Sequence, residues 1–114
     1  MQKNIFDTNE EWKETHNIPW EDTDLSALRV SIAKHLLEKR TEKQLSTREL
    51  AKLSGVTDRQ ILRIEHSDPE HPKYDSKYND VPSLTTLVKL ANALHCSVLS
   101  LMWTYRFTLD QQKH

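Results

Sequence analysis

The sequence predicts an all-α domain of five helices, and three observations predict it. Apolar residues recur at helical spacing from Leu25 to Leu37 and again from Leu84 to Leu94. Two capping boxes open short helices eleven residues apart, at Ser46 and at Thr57. The only glycine of the chain, Gly55, stands between them.

Each element has its own justification. Leu25, Leu28, Ile32 and Leu36, widened by Ala33 and Leu37, make one apolar stripe of an amphipathic helix of about three to four turns. Asp24 suits its N-cap, and Lys39, Arg40 and Lys43 suit the negative end of its dipole. In Ser46-Thr47-Arg48-Glu49 the Ser46 hydroxyl and the Glu49 carboxylate can each satisfy an orphan backbone donor, with Leu45 and Leu50 as the hydrophobic staple. Thr57-Asp58-Arg59-Gln60 repeats the device, stapled by Val56 and Ile61, and the helix it opens runs from about Thr57 to His66. Gly55 falls where the first short helix must end in a left-handed residue. Ser67 to Ser83 holds three of the four prolines and reads as a long polar loop. Ser83 then caps a helix whose Leu84, Leu87, Val88, Ala91 and Leu94 share a face, and Ser97 caps a short apolar helix from Val98 to about Trp103. Tyr105 to Leu109 alternates apolar and polar residues, which fits a short strand or an irregular segment packed on the domain. The organisation expected is an N-terminal arm (1–23), one domain (24–104, with loop 67–83) and a short tail (105–114).

The 114 residues suffice for one modest core, and no apolar run approaches the ~20 residues that span a bilayer. Residues 1–22 are acidic and lack the apolar stretch of a signal peptide, so a cytoplasmic address is expected. The single Cys96, beside Leu94 and Val98, reads as a small buried hydrophobe. Net charge is -1, but its distribution is uneven: residues 1–24 sum to -5, residues 25–104 to +3 and the last ten to +1. An acidic arm thus offsets a mildly basic body, a pattern of nucleic-acid-binding domains with a charged tail.

Two short helices joined by a glycine turn, one long helix before them and two helices after, make a helix-turn-helix arrangement. The chain here resembles the lambda-repressor-like (XRE-type) transcriptional regulators of bacteria and phages, over about residues 25–103. The residues that carry the resemblance are Leu45-Ser46, Glu49-Leu50-Ala51, Ser54-Gly55-Val56-Thr57, Ile61, Arg63-Ile64-Glu65, Pro82-Ser83-Leu84, Leu87, Leu90-Ala91, Ala93-Leu94 and Leu99 to Leu101. The resemblance implies a five-helix fold that binds double-stranded DNA with the second short helix in the major groove. Base-edge candidates on that helix are Thr57, Asp58, Arg59, Leu62 and Arg63. Arg59 and Arg63 lie four apart and so share a face, where either can take a guanine edge, and Leu62 suits a thymine methyl. Arg63 has a backbone-contacting alternative, and Asp58 is explained by the helix dipole as well as by a cytosine contact. Phosphate candidates are Thr47 and Arg48 at the start of the preceding helix, His66, and the loop residues Lys73 and Lys77. The resemblance further implies that Glu65 is a buried structural glutamate paired with Arg40.

The long loop and the arm depart from the family pattern. Loop 67–83 has Ser67 where the family commonly has glycine, and is placed either to follow the DNA backbone or to meet a protein partner. Ile5, Phe6, Trp12, Ile18 and Trp20 make the arm too apolar for a solvated tail, so it is expected on its own domain or a second subunit, restraining DNA binding. Leu99, Met102, Trp103, Tyr105, Phe107 and Leu109 form the candidate surface of a homodimer, with packing inside one chain as the alternative. His66, His71, Asp68 and Glu70 match no metal-ligand spacing and read as solvated loop residues; no metal or cofactor is expected. No nucleophile–base set, phosphate loop or paired carboxylate supports an enzyme. The functional expectation is a sequence-specific repressor. The alternatives are an antitoxin that binds a toxin and its own operator, and a protein-interaction module on the same fold.

Overall fold

The computed structural model describes residues 19–107. They fold into α1 (Asp22–Glu42), α2 (Thr47–Ser54), α3 (Asp58–Glu65), α4 (Leu84–Leu94) and α5 (Val98–Met102), with no strand among them. No helix among the described residues is long and apolar enough to cross a membrane. Residues 1–18 and 108–114, with the arm's Ile5, Phe6, Trp12 and Ile18 and the tail's Leu109, lie outside the described residues.

Local signals set most helix ends. The Ser46 and Thr57 hydroxyls accept the N–H of Glu49 and Gln60, at 3.0 and 3.1 Å, and each box closes reciprocally from the Glu49 or Gln60 side chain. Ser83 and Ser97 cap α4 and α5 in the same way. Gly55 ends α2 at φ 77, and its N–H donates to the Ala51 carbonyl at 2.9 Å. The sharp turn this permits sets α3 across the end of α2.

α1 is longer than its apolar stripe announces. It spans 21 residues, about 32 Å at 1.5 Å rise, with Glu21 as its N-cap rather than Asp24. Asp24 sits one turn in, where its carboxylate accepts the Glu21 N–H at 2.8 Å. The extra turn carries Leu25 past the edge of the core, and it is 46% exposed. Leu84 and Val88 are likewise exposed on α4, where Leu87, Leu90, Ala91 and Leu94 are the buried set.

The core has two connected parts. Leu36, Leu50, Val56, Ile61, Leu90, Ala91, Leu94 and Leu101 pack α1, α2, α3, α4 and α5 together, with Cys96 partly buried at the margin. Leu28, Ile32 and Leu87 form the second part, lined by Trp20, Met102 and Phe107, and Ile64 and Val98 touch both. Residues 105–107 make a helical turn, not a strand, because the Thr104 carbonyl accepts the Phe107 N–H at 3.1 Å and its hydroxyl accepts the Arg106 N–H. This turn seats Arg106, 8% exposed, against the start of α1: its guanidinium donates to the Pro19 carbonyl and the Asp24 carboxylate and lies over the Trp20 ring.

Loop 67–83 is a chain of turns rather than a polar strap. Asp68, expected in solvent, is buried, and so is Ser67. The Asp68 and Asp75 carboxylates accept the Glu70 and Lys77 N–H groups, two Asx turns. Further along, the Asp75 N–H donates to the His66 carbonyl, Lys34 of α1 pairs with Glu70, and Arg29 of α1 donates to the Tyr78 carbonyl at 3.1 Å. These bonds hold the loop against α1 and the end of α3.

Candidate nucleic-acid interface

α2 and α3 pack on each other, α2 also on α4 and α3 also on α1, with Leu50, Val56 and Ile61 in the shared core. Burial of those three residues fixes which side of each short helix faces outward. Thr57 and Arg59 at the start of α3 and Arg63 one turn on are exposed, as is Arg48 at the start of α2; Thr47, Asp58, Leu62 and His66 are half-buried.

The polar atoms on this face are not equally available. The Thr57 hydroxyl donates to Gln60 Oε1 and accepts the Gln60 N–H, both at 3.1 Å, so the capping box uses its donor and one lone pair. Asp58 has a buried Oδ1 with no hydrogen-bond partner among the described residues. Arg59 makes no hydrogen bond or ion pair among the described residues, and its guanidinium is free to meet a ligand. Arg48 is exposed beside Glu49, whose carboxyl is held below its ordinary value first by the backbone N–H of Ser46 and then by the Ser46 hydroxyl.

Arg63 is placed differently from Arg59. Its guanidinium carbon lies 5.4 Å from the centroid of the Tyr78 ring, which turns it toward the loop. Lys77 Nζ lies 5.1 Å from the same centroid and 3.5 Å from the Asp75 carboxylate. An open pocket of about 290 Å³ adjoins this group between α3, the loop and the start of α4, with Gln60, Arg63, Tyr78 and Thr86 among its walls. The Arg29–Tyr78 contact carries no signal in the sequence, because it spans 49 residues and has no periodicity.

His66 closes α3 and stacks on His71, ring centroids 4.6 Å apart. Burial, and then the neighbouring His71, push the His66 imidazole below its ordinary value. Lys73 is exposed, and its N–H donates to His71 Nδ1 at 2.9 Å. No group of three His, Cys, Asp or Glu among the described residues is arranged to hold a metal ion.

Glu65 lies behind the face. Arg40 grips its carboxylate through Nε and Nη2, at 2.7 and 2.8 Å, and donates from Nη1 to the Leu45 carbonyl at 2.8 Å. One guanidinium therefore joins α1, the α1–α2 turn and α3. At the other end of the domain, Leu99 and Tyr105 are exposed, whereas Met102 and Phe107 are drawn into the second part of the core and Phe107 contacts both Trp20 and Trp103.

No protein-family model, curated protein or solved structure matches this chain.

Proposed function

We propose that this chain is a helix-turn-helix regulator of the lambda-repressor-like kind, which binds duplex DNA sequence-specifically and represses transcription. One observation carries the reading: the burial of Leu50, Val56 and Ile61 leaves an outward face on which Arg59 of α3 and Arg48 of α2 are both exposed. In a helix-turn-helix, the start of the second helix meets base edges and the start of the first meets phosphates. Arg59 has the free planar fork that a guanine edge takes, and Arg48, with the first backbone N–H groups of α2, has the charge and donors that a phosphate takes.

The reading includes a homodimer, since such domains read two half-sites about 34 Å apart through two-fold symmetry. Leu99 and Tyr105 are the exposed apolar residues at the α5 end that support a subunit contact there.

The test is binding of the full chain to the duplex region upstream of its own gene, across a salt series. Specific binding that weakens as salt rises is the expected result, because each phosphate contact releases counterions. A folded protein that binds no DNA at any salt would replace this reading with a protein-interaction module.

A further inference from the structure

We infer that Tyr78 is a positioning residue that gathers Arg63 and Lys77 into a second binding site for a DNA backbone phosphate, between the last turn of the recognition helix and the loop. The inference rests on the DNA-binding reading above and assigns loop 67–83 a part in it. Arg63 comes from α3 and Lys77 from the loop, yet both cations lie over one ring, at 5.4 and 5.1 Å from its centroid. The electron-rich face of one ring thus attracts both cations, which come from different elements. The ring is itself held in place: Arg29 of α1 donates to the Tyr78 carbonyl at 3.1 Å, and the Tyr78 N–H donates to the Asp75 carbonyl at 3.0 Å.

The alternatives for these cations are weak. Among the described residues Lys77 pairs only with the Asp75 carboxylate, at 3.5 Å, with both side chains open to solvent. An exposed pair of that length contributes little and is readily exchanged for a phosphate. Arg63 makes no ion pair among the described residues. A diester phosphate reaching both cations would offset both charges. Arg63 thus serves the backbone and register, while Arg59 is left to read the base edge.

The experiment compares the full-length wild type, Lys77→Ala, Tyr78→Ala and Tyr78→Phe on the same upstream duplex, with log affinity measured against log salt. Lys77→Ala is expected to reduce the salt slope by about one and to weaken binding roughly tenfold at 0.1 M salt, for all sequences alike. Tyr78→Ala should lose as much or more, Tyr78→Phe should retain the wild-type slope, and adding Lys77→Ala to Tyr78→Ala should lose less than the two single effects combined. A melting curve for each variant separates loss of this contact from loss of fold. Wild-type binding with unchanged slopes in Lys77→Ala and folded Tyr78→Ala would overturn the inference alone. Absence of wild-type binding would overturn it together with the DNA-binding reading.

Discussion

Arg40 and Glu65 meet in a two-point contact, Nε to Oε2 at 2.7 Å and Nη2 to Oε1 at 2.8 Å, with Glu65 only 2% exposed. Neither charge is easily left alone there. The carboxylate is buried, whereas the guanidinium is 14% exposed and also holds the Leu45 carbonyl, so removing either partner leaves a largely desolvated charge short of its main partner. Glu65→Ala is predicted to cost about 3–5 kcal/mol, a fall in Tm of more than roughly 12 °C. Arg40→Lys keeps the charge without the fork and should fall between that variant and the wild type. Thermal melts by circular dichroism read both, and an unchanged Tm in Glu65→Ala would show that the pair carries no stability.

Two left-handed helix ends give a prediction with opposite signs. Gly55 has φ 77, and a Cβ placed there would touch nothing within 4 Å. Gly55→Ala therefore pays backbone strain alone, about 1–2 kcal/mol. His95 ends α4 at φ 54 with a full side chain, exposed to solvent. His95→Gly should relieve the same strain and gain up to about 1 kcal/mol. The two Tm shifts, measured side by side, must differ in sign if left-handed geometry is the cause.

The difference between what the sequence made legible and what it hid follows from range. Both capping boxes, the Gly55 turn and the Ser83 and Ser97 caps depend on residues within four positions of each other, and the structure has them all. The start of α1 was hidden because Glu21 and Asp24 form a capping pair outside the usual Ser/Thr–Glu pattern. Periodicity named a face of α1 and α4 but not how far neighbours extend along it, hence the exposed Leu25, Leu84 and Val88. Of the candidate interface, the exposed Thr57, Arg59 and Arg63 of α3 followed from its period, whereas Asp58, Leu62 and His66, expected to point outward with them, are half-buried. The turn of Arg63 toward Tyr78 did not follow from it, since loop 67–83 is ordered by contacts with α1 that no local pattern encodes.

Acid should weaken the domain in two separate windows. His66 is held below its ordinary 6.5 by burial and by His71, so the unfolded chain takes up that proton first. Stability on this account is present above pH 6.5 and is lost as pH falls below it. Glu49, Glu70 and Asp75 are held below their ordinary 4.5, 4.5 and 3.8, by the Ser46 N–H, the Lys34 ammonium and the Lys77 N–H respectively. Their contribution is present above those values and is lost only at lower pH. His66→Gln is predicted to flatten the upper window and leave the lower one. Urea midpoints at about pH 7, 5.5 and 4 test this. A variant that tracks the wild type between the first two would rule out His66 as the cause.

Arg59 and Arg48 should fail in different ways if the DNA-binding reading holds. Arg59, exposed and without an ion pair among the described residues, stands on the first turn of α3, where a base edge would lie. A bidentate base contact adds discrimination, so Arg59→Ala should cost about 1–3 kcal/mol on the preferred sequence and much less on unrelated duplexes. Specificity falls, relaxed at one base position. Arg48 stands on the first turn of α2, where a phosphate would lie, and phosphates are the same in every sequence. Arg48→Ala should weaken all duplexes alike and reduce the salt slope by about one. Both changes are on solvent-exposed positions, so stability is expected to shift by no more than about 0.5 kcal/mol. Competition binding with a set of single-base variants, repeated at two salt concentrations, separates the two patterns. If Arg59→Ala weakened every duplex equally, α3 would be holding the backbone and the bases would have to be read elsewhere.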